Sequence, residues 1–147
     1  MRILIQRVSR ASVRVAGESV SSIGRGLLLF LGVETEDTET VLEAMVRKIA
    51  GLRIFDDDAG KMNRSNEDVG GEVLVVSQFT LCADLSKGKR PGFDRAMKPP
   101  ESERLYERFC GRLAEATGRP VRRGRFGATM EVDLVNDGPA TFWIEMR

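Results

Sequence analysis

Ser77-Gln78-Phe79-Thr80 gathers two hydroxyls and a carboxamide at the end of the most strand-like run of the chain, Glu72 to Leu81. Burying such groups costs free energy unless each is hydrogen-bonded. They therefore face water where a strand leaves its sheet, or they face a ligand; the local pattern leaves both readings open. A strand that ends here also frees backbone N–H groups to meet an oxyanion. The chemistry open to them is limited by an absence, since the 147 residues contain no histidine. No Ser-His-Asp or Cys-His pair can activate a nucleophile. His-ligated zinc is excluded, and two cysteines, Cys82 and Cys110, are too few for a four-thiolate site. Neither a metal nor a cofactor is expected. Proton transfers fall to carboxylates, lysines, Tyr106, backbone groups, water or the substrate.

A second segment of interest is Asn136-Asp137-Gly138-Pro139, which by local pattern is a plain turn between two strands. Asp56-Asp57-Asp58-Ala59-Gly60 begins like a calcium loop and has Glu67 at position 12, but Gly60 stands where position 5 needs an oxygen ligand, and it reads as a solvated turn. Gly24-Arg25-Gly26 lacks the third glycine and the helix of a dinucleotide fingerprint and reads as a hairpin turn. The net charge of +1 gives no bulk attraction for a polyanion, yet the charge is uneven. Lys87, Lys89, Arg90, Arg95 and Lys98 form one basic stretch, and Arg119, Arg122, Arg123 and Arg125 another. Either stretch can be a solvated loop or a phosphate-binding patch. Glu34, Glu36, Asp37, Glu39 and Glu43 form an acidic stretch between them in character but far upstream.

The elements that must position these groups follow from periodicity. Ile3-Leu4-Ile5 and Val8 predict an opening strand, and Ala11 to Val15 alternates as a second, half-buried one. Val20 to Ile23 returns after a turn at Gly17-Glu18. Leu27 to Val33 is apolar throughout, as in a strand covered on both faces. Asp37 to Ala50 predicts a helix, with Val41, Leu42, Met45, Val46 and Ile49 on one stripe and Asp37, Thr38 or Thr40 as its cap. Arg53-Ile54-Phe55 is a short extended piece, and Lys61 to Gly71 a polar connection. Ser86 to Pro100 is a loop. Glu101 to Thr117 predicts the second helix, with Leu105, Phe109 and Leu113 on one face and Gly118 as its stop. Val132 to Leu134 and Thr141 to Ile144 predict a closing pair of strands. Two helices among six or seven strands make one α+β domain over residues 1–147 with a mixed, largely antiparallel sheet.

Ile5-Gln6-Arg7-Val8, Ser77-Gln78-Phe79-Thr80-Leu81 and Leu134-Val135-Asn136-Asp137-Gly138-Pro139-Ala140-Thr141-Phe142-Trp143 stand in order along the chain. With Arg53-Ile54-Phe55, Gly60-Lys61-Met62-Asn63 and Arg90-Pro91-Gly92-Phe93, the sequence resembles the D-aminoacyl-tRNA deacylases over essentially its whole length. Gly92 departs from the pattern, which more often has Ser there.

That resemblance implies a barrel-like homodimer that hydrolyses the ester joining a D-amino acid, or glycine, to the terminal ribose of tRNA. It implies a site at the subunit interface. Ser77, Gln78, Phe79 and Thr80 of one subunit would meet a Gly138–Pro139 cis bond from the other, held by Arg7, and Phe126 and Met130 would lie near the terminal adenosine. An aminoacyl ester is already activated, so a positioned water, N–H donors and the ribose 2′-hydroxyl would suffice without histidine. The Gly138 and Pro139 carbonyls would reject an L side chain sterically. The expected partner is the acceptor end of aminoacyl-tRNA, with no membrane and no DNA. The longest apolar run, Leu27 to Leu31, is too short to span a bilayer, and the opening residues are too short a run for a signal peptide. The expected place is the cytoplasm. Two other classes stay open: a small-molecule amidase or esterase using Thr80 or Ser77, and a non-catalytic tRNA-binding dimer.

Overall fold

A computed structural model describes residues 1–147. Its axis is one long strand, β1 (Arg2–Val15), rather than the two predicted. Ser9 and Arg10 break the apolar pattern and are exposed, but the strand runs on through a bulge at Ser9, and Arg10 pairs with Val135 of the partner strand. β1 pairs antiparallel with β2 (Glu18–Ile23), β3 (Gly26–Gly32) and β8 (Glu131–Glu145). β3 continues the sheet in parallel to β6 (Glu72–Ser77), and β6 in parallel to β7 (Val121–Arg123), giving the order β2-β1-β3-β6-β7 with β8 on β1. The sheet is mixed and largely antiparallel, as expected. It curls until its two edges meet, where the Ser21 hydroxyl donates to the Arg123 carbonyl at 2.7 Å. The polar connection after Phe55 holds an unpredicted hairpin, β4 (Phe55–Asp56) with β5 (Met62–Arg64).

Alternation along β3 sorts its leucines between two cores. Leu27, Leu29 and Leu31 face α1 (Glu39–Ala50) and α2 (Glu101–Thr117), and Leu28 faces the inside of the curl with Val8, Val13, Leu74 and Val76. Both helices lie on the first of these faces. α2 supplies Leu105, Tyr106, Phe109 and Leu113, all fully buried. Each such large side chain contributes roughly 1.5–3 kcal/mol by leaving water. The helix ends at Gly118, whose φ of 65° suits glycine. Thr38 caps α1, its hydroxyl accepting from Val41 N–H at 3.3 Å. Asp37, a candidate cap in the sequence, instead lies buried, accepting from the Met1 ammonium and from Glu34 N–H. Glu34 is buried too, paired with Arg2 at 3.0 Å. The acidic stretch is therefore partly internal and not a solvated face.

Two corrections bear on function. The strand beginning at Glu72 stops at Ser77, and Phe79–Cys82 forms a 3₁₀ turn. Apolar Phe79 and Leu81 carry the strand-like pattern past the point where the strand ends. At the other end, β8 is a single strand, and Asn136-Asp137-Gly138-Pro139 is not a turn between two. β1 advances from Gln6 to Val8 while β8 advances from Thr141 back to Asn136, so the extra residues stand out of the ladder as a bulge. The Gly138–Pro139 bond within it is cis, as is Pro99–Pro100.

Candidate active site

The largest cavity of the fold, about 540 Å³, opens where β6 ends. Twelve of the 18 residues around it are hydrophobic, and the volume lies within the range of small-ligand pockets. Ser77, Gln78 and Phe79 form one wall. Gln78 N–H donates to Leu31 O at 2.8 Å, the last rung toward β3. The chain then enters the 3₁₀ turn, whose first donors, the N–H groups of Phe79 and Thr80, precede any acceptor within the turn. Phe79 packs edge-on against Phe93 with ring centroids 5.0 Å apart. Thr80 is exposed and lies outside the wall; its hydroxyl accepts from the Gln78 amide at 2.5 Å.

The opposite wall comes from the segment after β7. Phe126 and Met130 both line the cavity. Gly124 makes room for this: a Cβ there would stand 2.7 Å from the Met130 sulfur. Gly124 N–H donates to Val75 O at 2.9 Å, and the Tyr106 hydroxyl donates to the same carbonyl at 2.8 Å. Tyr106 also supports the Phe126 ring, 5.7 Å between centroids. Burial pushes the Tyr106 phenol well above its ordinary range. It is a fixed neutral donor and so a poor base. Its sequence signal, a position between Leu105 and Phe109, reads as core; only the fold shows that one edge of its ring borders the cavity. Burial likewise pushes the Cys82 thiol up to about 11 and the Cys110 thiol up to about 12. Neither is a nucleophile at neutral pH.

Arg7, Gly138 and Pro139 do not join this cavity within one chain; they form a second cluster on the β1–β8 face. Arg7 sits on β1 opposite the bulge and is buried. Its Nε donates to Asp137 O at 3.1 Å and pairs with the Asp137 carboxylate at 3.0 Å. Its Nη1 donates to Ile54 O at 2.6 Å and reaches Asp56 at 3.4 Å. The guanidinium also lies over Phe55, 5.9 Å from the ring centroid. Asn136 fastens the base of the bulge, its amide donating to Arg7 O at 3.0 Å and Ala140 O at 3.3 Å. Gly138 and Pro139 are left exposed at the tip. Ile54 and Asp56, which fix Arg7 on its far side, lie in segments the sequence marks for other reasons, and nothing there ties them to Arg7. No cluster of side chains suited to a metal ion is present.

A curled mixed sheet with two helices on one face, an apolar cavity at a strand end and a Gly-Pro bulge held by a buried arginine define an α+β domain with a small-ligand pocket. The D-Tyr-tRNA(Tyr) deacylase family model matches residues 4–145, and the chain belongs to that family of ester hydrolases. A D-aminoacyl-tRNA deacylase of Magnetococcus marinus is 56% identical over 146 residues, covering 99% of this chain and 97% of that protein. One of Vibrio cholerae is 55% identical over 142 residues, 97% of each chain. A solved structure named c-Myc DNA Unwinding Element Binding Protein is similar with a TM-score of 0.94 and 45% identity, covering 100% of this chain and 99% of that one. A probable eukaryotic D-amino acid tRNA deacylase shares the fold, with a TM-score of 0.84 at 20% identity over 97% of this chain and 98% of that one.

Proposed function

We propose that this chain hydrolyses the ester between a D-amino acid, or glycine, and the terminal ribose of tRNA, as a cytoplasmic homodimer with composite sites. One observation carries the reading. The wall formed by Ser77, Gln78, Phe79, Phe126 and Met130 and the cluster of Arg7, Gly138 and Pro139 are both built, yet they lie apart in one chain. A second copy that presents its Gly-Pro bulge to the cavity completes the site. Phe79 and Trp143, 57% and 48% exposed, supply apolar surface for such a contact.

The chemistry needs no protein base. The cavity orients the terminal adenosine between aromatic faces, with Phe126 and Met130 against the base. The opening N–H groups of the 3₁₀ turn stabilise the oxyanion as water attacks the ester carbonyl. The ribose 2′-hydroxyl relays the proton. Gly138, without a Cβ, lets its backbone approach the amino acid closely. The two carbonyls of the bulge exclude an L side chain, while a D side chain points away and glycine has nothing to exclude. Rejection of this kind reads no particular side chain, so many D-amino acids are accepted.

Two measurements test this. Wild type should deacylate D-aminoacyl- and glycyl-tRNA and spare the L ester; similar rates on D and L esters would sink the steric gate. Co-expressing a Phe126→Ala chain with a Gly138→Val chain should restore activity absent from either alone, because a hybrid dimer keeps one intact site. No recovery would refute the composite site. Binding of tRNA without hydrolysis would favour the non-catalytic reading. Single-stranded DNA as a competitor checks the preference for RNA.

A further inference from the structure

The cavity at the end of β6 is unusual in its charge. None of its 18 lining residues is a carboxylate, and a single one, Lys98, is charged. Lys98 is exposed, so its ammonium stands at the mouth, and it forms no ion pair within the chain. It lies in a fixed place. Met97 N–H before it donates to Val33 O at 3.0 Å, and its own carbonyl accepts from Ser102 N–H at 3.3 Å, tying it to the start of α2. A second free cation flanks the opposite wall. Arg125 opens the turn Arg125–Ala128, closed by Ala128 N–H donating to Arg125 O at 3.2 Å, and the other three residues of that turn line the cavity. Nine of the 18 arginines are paired with carboxylates, and Arg125 is among the nine that are not.

We infer that Lys98, assisted by Arg125, binds the phosphate on the 5′ side of the nucleoside that occupies this cavity. The assignment rests on the reading above, in which that nucleoside is the terminal adenosine of tRNA. The ligand's own charges select the phosphate. An aminoacyl ester is neutral at the carbonyl and carries a cationic ammonium, which a lysine repels. The nearest formal negative charge is the phosphodiester. A compact ammonium at a pocket mouth meets a phosphate oxygen as a point charge. The other lysines and arginines of the two basic stretches lie outside the cavity wall, apart from Lys98, and contribute through the general field.

The test compares adenosine with adenosine 5′-monophosphate as ligands of the full-length protein, by calorimetry at low salt. Wild type should bind the monophosphate about tenfold more tightly, as one charge-assisted contact at a partly solvated site gives. In Lys98→Met that ratio should fall close to one, Lys98→Arg should keep most of it, and Arg125→Gln should lose part. Raising the salt should shrink the wild-type ratio. A wild-type ratio near one overturns the assignment, as does a Lys98→Met variant that weakens both ligands equally. Hydrolysis of D-aminoacyl-tRNA by the same preparation is read separately. A retained phosphate preference without hydrolysis removes the deacylase reading and leaves the phosphate site standing.

Discussion

Replacing Arg7 by methionine removes the guanidinium while keeping most of the stem's bulk on β1. The ion pairs with Asp56 and Asp137 contribute little to the expected loss, since those carboxylates are 53% and 48% exposed. The main cost lies with two carbonyls. Ile54 O loses a donor at 2.6 Å in a buried place, and Asp137 O loses one at 3.1 Å. Hydrogen bonds from a charged donor contribute about 1.5–3 kcal/mol each, and an acceptor left unpaired in the interior costs its desolvation. Because the two share one side chain they are not additive, and we expect a loss of about 3 kcal/mol. That is a large part of the 5–15 kcal/mol typical of a domain. Urea unfolding is the assay, with the slope checked for constancy. At a slope of about 1–3 kcal/mol per molar, the midpoint should fall by at least about 1 M. Arg7→Lys should recover only part, since one ammonium cannot serve carbonyls on two sides. Arg10→Ala, whose pair with Asp133 is exposed on both sides, is the control and should cost under about 0.5 kcal/mol. A loss below about 1 kcal/mol in Arg7→Met would show that Arg7 does not hold the bulge.

Gly26→Ala should unfold or severely destabilise the chain, because the added Cβ would sit 1.9 Å from the Glu72 carbonyl oxygen, a backbone atom that cannot yield; thermal denaturation reads this, and a near-normal Tm would refute it. Cys82 and Cys110 should resist alkylation at pH 7.5 in the folded protein and react once urea is added, as mass spectrometry will report. Their folded pKa values are raised, so their share of stability is complete below pH 9 and is lost as pH climbs toward about 11 and about 12; unfolding midpoints that rise over that span would contradict the burial argument. Thr80→Ala should keep deacylation within about tenfold, since Thr80 is exposed and has no base to activate it; a trapped acyl-enzyme on Thr80 would overturn this.

Much of this fold is legible in the sequence because local signals and tertiary structure agree. α2 runs from Glu101 to Thr117 as its stripe and Gly118 predict. β3 is an unbroken apolar run because it is covered by helices on one side and the inner core on the other. The failures have a shared cause. Asn136 to Pro139 carries every mark of a turn, yet β1 holds both halves of β8 in one ladder and forces the excess out as a bulge. β7 has three residues, two of them arginine, and becomes a strand only because β6 offers a parallel edge. The same applies to the site. The polar residues of Ser77 and Gln78 are conspicuous in a strand. Lys98 is one cation among five in its stretch, and nothing in the sequence separates it from Lys87 or Arg90. Only packing against α2 puts it at the cavity.

The absence of histidine then has a structural counterpart. Tyr106 is held as a neutral donor to Val75 O, both thiols stay protonated, and the Thr80 hydroxyl already accepts from Gln78. Among the side chains that line the cavity only Tyr106 and Lys98 carry an ionisable group, and neither is a histidine or a carboxylate. A site so equipped suits a substrate that brings its own reactivity, such as an ester with a neighbouring hydroxyl. In the proposed reaction the rate gain comes from orientation and from backbone donors, neither of which depends on a titrating side chain. On the same proposal its selectivity likewise comes from shape. The proposed gate would account for a buried arginine and an asparagine that donate to four backbone carbonyls around an exposed four-residue bulge. On the proposed reading, a mobile bulge would yield to an L side chain, and one pinned at both ends would exclude it.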